Sequence, residues 1–145
     1  MIPAHIERAR QGIEPAMVKR LPSGWVLMAN SQFLPGYCIL FADPVKPSLN
    51  DLNTDERAQF LHDMAIVGDA ILTATGAERI NYAIMGNSEP CLHAHICPRF
   101  ANEDENYRHG LPWSYPQMQA VEYQFNELDH GELRERILAQ IERLI

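Results

Sequence analysis

The sequence predicts an α+β domain built on an antiparallel sheet. Three observations predict it: a long helix whose start and stop are both written, a pair of apolar strand-length runs before it, and a second pair after it. The chain has 145 residues. That length suits one domain spanning 1–145, which buries roughly 68% of its unfolded surface and so forms a core without disulfides or a structural metal.

Residues 4–11 have helical composition and are stopped by Gly12 and Pro15, which gives a short N-terminal helix. Trp25 to Ala29 reads as a strand, Phe33 to Gly36 as a turn, and Tyr37 to Phe41 as a second strand bounded by Pro44 and Pro47. The two form an antiparallel pair. A helix over 54–75 follows, because Asn53 caps it, Glu56 sits three residues on as in a capping box, and Gly76 ends it. Phe60, Met64, Val67 and Ile71 make one apolar stripe along it. Ile80 to Met85 and Leu92 to Arg99 are two further strands joined by a Gly-Asn-Ser-Glu-Pro turn. A last helix over 131–144 turns Leu133, Ile137, Leu138 and Ile141 inward.

Twelve Lys and Arg against nineteen Asp and Glu leave a net charge of −7. Such a surface has no general attraction for a phosphate backbone or an anionic bilayer, so nucleic-acid polymers and membranes are excluded as expected partners. The longest apolar run, Tyr37 to Ala42, is far shorter than the roughly eighteen residues of a spanning helix. Pro3, His5 and Glu7 stand where a secretory signal would be apolar, which predicts a cytoplasmic protein. Cys38, Cys91 and Cys97 lie in apolar or His-containing runs and suit reduced thiols, with Cys38 and Cys97 as buried small hydrophobes.

The chemistry concentrates in the run from Cys91 to Arg99. Cys91, His93, His95 and Cys97 alternate with apolar residues, so strand period two sets all four on one face. One reading is a metal site, since His-x-His on a strand supplies two ligand corners. Same-face neighbours stand roughly 6.5 to 7 Å apart, so at most two adjacent members share an ion. A second reading is covalent catalysis: an imidazole with one nitrogen fixed by a backbone carbonyl presents the other as a nucleophile, and a neighbouring His stabilises charge. The preceding turn, Gly86 to Pro90, then offers backbone N–H groups and short polar side chains to an anion. The third reading is two strand histidines satisfied by hydrogen bonds beside an ordinary hairpin turn. Spacing alone leaves the three open.

The stretch from Ile80 to Arg99, with Gly86-Asn87, Pro90, Leu92-His93-Ala94-His95 and Pro98-Arg99, resembles the signature region of the histidine triad (HIT) family. That signature is H-φ-H-φ-H-φ-φ with φ apolar, and the likeness is to a bacterial branch carrying G-N-x-x-P-x-L-H-x-H. It covers roughly residues 24–100 and extends weakly to Leu111-Pro112-Trp113. The resemblance implies a HIT-like α+β fold with an antiparallel sheet of about five strands, a long helix and a C-terminal helix. It implies a nucleotide hydrolase or nucleotidyl transferase acting at the α-phosphorus of a dinucleoside polyphosphate or nucleoside phosphoramidate. His93 is then the nucleophile, and His95 contacts the phosphoryl oxygens and the leaving group. Asn81, Asn87 and Ser88 take the phosphate positions and Asn30 the ribose hydroxyls. The resemblance further implies a small-molecule nucleotide partner, a homodimer, no cofactor and no metal.

The first triad position is Cys91 instead of His. A Cys still provides the backbone carbonyl that orients His93 but loses the reach of an imidazole, so the alternative is a catalytically weak nucleotide-binding module. A His-x-His metal-binding protein is a more distant alternative. His93 attacks unprotonated, so with imidazole's reference value of ~6.5 adduct formation is expected to fall on acidification. Outside the motif, Glu103, Asp104 and Glu105 read as a solvated acidic loop, and Arg99 and Arg108 as surface cations. Tyr107, Trp113 and Tyr115 read as aromatics covering a nucleobase or a neighbouring subunit.

Overall fold

Five extended segments pair into one antiparallel sheet whose alternating side chains feed two different faces. The computed structural model describes residues 1–145. In chain order the elements are α1 (Ile2–Arg10), β1 (Met17–Leu21), β2 (Gly24–Met28), β3 (Cys38–Ala42), α2 (Thr54–Thr75), β4 (Arg79–Ala83), β5 (His93–Arg99) and α3 (Glu127–Leu144). Three short 3-10 turns over Pro112–Ser114, Pro116–Gln119 and Val121–Tyr123 connect β5 to α3. The strand order is β1-β2-β3-β5-β4. Helix α2 therefore carries the chain past the slot beside β3 to the far edge, and β5 returns to fill that slot.

On one face Val26, Met28, Cys38, Leu40, Ala94 and Ile96 pack beneath Phe60, Val67 and Ile71 of α2 and Leu133, Ile137 and Ile141 of α3. Burial of these apolar side chains is the main source of stability. The opposite face is covered at its two ends only. Ile2, Ile6 and Ala9 of α1 sit on Leu27 and Phe41, while Tyr115 and Met118 close over Ala29, Tyr37 and Cys97. The open strip between them carries the histidines.

The capping box predicted for α2 is present: the Asn53 side chain accepts from Glu56 N–H and the Glu56 carboxylate accepts from Asn53 N–H, both at 2.9 Å. Gly76 ends the helix at φ 72°. The stripe of Phe60, Val67 and Ile71 is buried as expected, with Met64 packed at its margin.

The structure corrects the sequence reading at three elements. Strand β1 was not predicted, because a bulge between Met17 and Lys19 breaks the alternation and places the buried Val18 and Leu21 three residues apart. Helix α3 begins at Glu127 instead of residue 131, capped by Asn126, whose side chain accepts from Asp129 N–H at 2.9 Å. Gly131 reads as a boundary in sequence but lies inside that helix. Helix α1 starts at Ile2, two residues early, where the Glu89 carboxylate accepts from Ile2 N–H at 3.1 Å. No helix is long and apolar enough to cross a membrane.

Candidate active site

Antiparallel register decides which side chains meet on the open face. Phe41 lies directly opposite His93, Ile39 and Ala83 flank His95 from either side, and Asn81 faces Cys97. Cys91 precedes the strand and packs against the apolar cluster under α1. Cys38 and Cys97 are buried, as expected of them.

His93 is 9% exposed and stacks on Phe41 with ring centroids 6.1 Å apart. The Phe41 ring is itself stacked on His5 of α1 at 5.9 Å. Nδ1 of His93 lies 2.7 Å from the Cys91 carbonyl oxygen, which can only accept. The ring proton is therefore on Nδ1, and Nε2 carries a free lone pair. The backbone oxygen at position 91 performs this orientation whatever its side chain.

His95 stands edge-on to His93 at 4.9 Å and edge-on to Trp113 at 5.2 Å. Its Nδ1 is 2.6 Å from the Tyr37 hydroxyl. Burial pushes the Tyr37 phenol up, against a smaller lowering by the Trp113 indole, so it stays protonated and has a hydrogen to offer that nitrogen. Burial, and then the facing His93, pushes His95 down to about 4. Between there and the ordinary ~6.5 the unfolded chain binds more protons than the folded one. The stability contributed by neutral His95 is thus complete above that window and lost as pH falls through it. The His95 ring C–H resonances are expected to titrate with a midpoint of about 4; an ordinary midpoint would contradict its burial against His93.

The other predicted residues are distributed unevenly. Asn30 is exposed at the end of β2, and its carbonyl accepts from Phe125 N–H at 2.7 Å. It lines two adjoining cavities that share Ala29 and Ile39. One, of about 400 Å³, runs over Leu27, Ile39, Phe41 and Phe125 to a polar wall of His5, Arg8 and Glu14. The other, of about 350 Å³, reaches Tyr37, Trp113 and Met118. Asn81 is on the histidine face, but its side-chain oxygen already accepts from Arg99 at 2.8 Å. Asn87 and Ser88 are exposed in the turn after Gly86, whose φ of 87° lets the chain reverse there. That turn is tied to α1 through Glu89.

Arg99 and Glu103 overturn their sequence reading. Arg99 is 7% exposed, not a surface cation, and the Glu103 side chain is turned inward to pair with it at 2.9 Å instead of standing in solvent. Burial works to raise the Glu103 carboxyl, but the Arg99 guanidinium, the Tyr115 hydroxyl and Phe100 N–H outweigh it and hold it below the usual range. Asp104 and Glu105 are exposed, as expected. Sequence reasoning also missed Tyr37 as the partner of His95, and took Trp113 only for a covering aromatic. The one available signal was Tyr37 directly following Pro35-Gly36 at the start of a strand. No three His, Cys, Asp or Glu side chains gather where they could hold a metal ion, so His93 and His95 have no third protein ligand.

No protein-family model and no curated protein matches the chain. Solved structures do. A histidine triad (HIT) protein from Sinorhizobium meliloti 1021 superposes with a TM-score of 0.72 at 23% identity, over 90% of this chain and 93% of its own. A hypothetical histidine triad nucleotide-binding protein from Sulfolobus tokodaii strain7 gives 0.73 at 15% identity, over 97% and 93%. The diadenosine triphosphate hydrolase of Plasmodium falciparum, solved with cyclomarin A, gives 0.59 at 16% identity, over 89% and 76%. At these identities the likeness is one of architecture, and over nine-tenths or more of the chain it embraces the five-stranded antiparallel sheet and its helices: the chain has the histidine triad fold.

Proposed function

We propose that the chain is a nucleotide hydrolase or nucleotidyl transferase that cleaves at the α-phosphorus of a nucleotide conjugate through a nucleotidyl-His93 intermediate. The observation that carries this is the hydrogen bond from His93 Nδ1 to the Cys91 carbonyl, which leaves Nε2 as the nucleophile. The Nε2 lone pair forms the N–P bond while the bond from phosphorus to the leaving group breaks with its electron pair. Water then attacks phosphorus, the N–P pair returns to Nε2, and the water proton passes to solvent. The cavity over Ile39 and Phe41 takes the nucleoside, with Asn30 at the ribose. His95 and the amide groups of Asn81, Asn87 and the Ser88 turn meet the phosphoryl oxygens, so catalysis rests on positioning and charge stabilisation. The enzyme acts in the cytoplasm as a homodimer, for which edge strand β4, with Tyr82 exposed on it and Met85 exposed just beyond it, offers a surface.

Rapidly quenched protein mixed with dinucleoside polyphosphates is the test. Intact mass should rise by one nucleotidyl group, peptide mapping should locate it on His93, and mononucleotide should appear in parallel. An adduct on another residue, or product without an adduct, would refute the covalent route. Binding with neither adduct nor product would favour the alternative of a nucleotide-binding module weakened by Cys91.

A further inference from the structure

We infer that Tyr37 holds His95 as a neutral N–H donor, so that the site expels leaving groups that depart as anions and lacks the acid that an amine leaving group requires. The inference rests on His93 being the nucleophile and names the leaving-group class of that same site.

The geometry is specific. The Tyr37 hydroxyl sits 2.6 Å from His95 Nδ1, and a protonated phenol gives its hydrogen to that nitrogen. The one proton His95 has is then on Nε2. The groups facing His95 are Tyr37 and Ile39 from the β3 side, Ala83 from β4, His93 and Cys97 from its own strand, and Trp113 from the turn beyond. None is a carboxylate, and no salt bridge or hydrogen bond in the chain joins a carboxylate to either imidazole. Nothing there favours an imidazolium, and its titration near 4 agrees.

Leaving groups differ in what this permits. When the P–O bond to a phosphate or nucleotide breaks, the electron pair stays on an oxygen that is stable as an anion, and no proton is needed. The neutral His95 N–H hydrogen-bonds the charge that develops. When a P–N bond breaks, the nitrogen must take a proton in order to leave as an amine instead of an amide anion. A neutral imidazole N–H is far too weak an acid to supply it. Two thiols are the remaining acidic hydrogens nearby: that of Cys97 is buried and directed at the Pro98 carbonyl, and that of Cys91 belongs to a side chain packed against the cluster formed by Ile2, Ile6 and Phe41. The water step is common to both classes because the intermediate is the same, so the difference falls on adduct formation.

The test compares single-turnover adduct formation near neutral pH for one nucleoside carried as a dinucleoside polyphosphate and as the phosphoramidate of an alkylamine. The anhydride should react faster by roughly a hundredfold or more. Tyr37→Phe, checked by thermal unfolding to be folded, should slow the anhydride roughly tenfold and narrow the gap, because Nδ1 is then free to take a proton. A purely structural role for Tyr37 would slow both series alike and leave their ratio unchanged, and that result would overturn the inference. So would equal rates in the wild type, or amine expulsion that disappears in Cys91→Ala. No adduct from either series would overturn the reading of His93 itself, and this inference with it.

Discussion

Replacing His93 by asparagine is expected to slow nucleotide release by on the order of 10⁴-fold or more, abolish the mass adduct, and leave the protein folded. The substitution separates the two jobs of the ring. An asparagine N–H can still be donated to the Cys91 carbonyl, as His93 Nδ1–H is now. The second ring nitrogen, which attacks phosphorus, has no counterpart in the amide. Binding should survive, because the cavity over Leu27, Ile39 and Phe41 is built without His93. Nucleotide affinity by calorimetry and single-turnover rates by quench flow decide the matter. A variant within tenfold of wild type would leave the covalent mechanism without its nucleophile.

The largest effect on stability is expected from Arg99→Ala, at about 3–5 kcal/mol, with a fall in melting temperature of roughly 10–16 °C. Arg99 donates to Glu103, to the Asn81 side chain at 2.8 Å and to the Gly110 carbonyl at 2.7 Å. Its removal strands Glu103, a carboxylate 6% exposed whose other donors are the Tyr115 hydroxyl and Phe100 N–H. Burial, now unopposed by the guanidinium, then drives that carboxyl upward and opposes folding at neutral pH. Adding Glu103→Gln to Arg99→Ala should restore part of the loss, since an uncharged amide tolerates the site. Urea unfolding of the single and double variants measures both. A single variant within 1 kcal/mol of wild type would mean that the pair contributes no more than a surface ion pair does.

Where the sequence spoke plainly, its signals were local. Helix α2 is bounded by groups three residues apart, Asn53 and Glu56, and by a glycine that tolerates positive φ, so its limits can be read without any tertiary knowledge. The His-x-His strand is equally legible, because alternation alone sets Leu92, Ala94 and Ile96 toward the helices and the histidines away. What escaped depends on partners far along the chain. Tyr37 and His95 are 58 residues apart, and only the pairing of β3 with β5 brings them together. Arg99 looked like a strand-end cation because nothing local announces that the segment 103–110 folds back over it. The bulge in β1 hid a strand by the same logic: its irregularity is defined against β2, not within its own residues.

The position of β5 between β3 and β4 gives the chain an all-or-none quality in time as well as in space. Until that strand docks, β3 and β4 each present an unsatisfied inner edge, open to pairing with another molecule. The polypeptide has by then passed through α2, so the closing contacts span long stretches of sequence and make assembly slow compared with a helical bundle of the same size. The same docking event that seals those two edges installs both imidazoles. Protection from aggregation and chemical competence are therefore acquired together, and a nascent chain that has not yet emerged beyond residue 99 has neither.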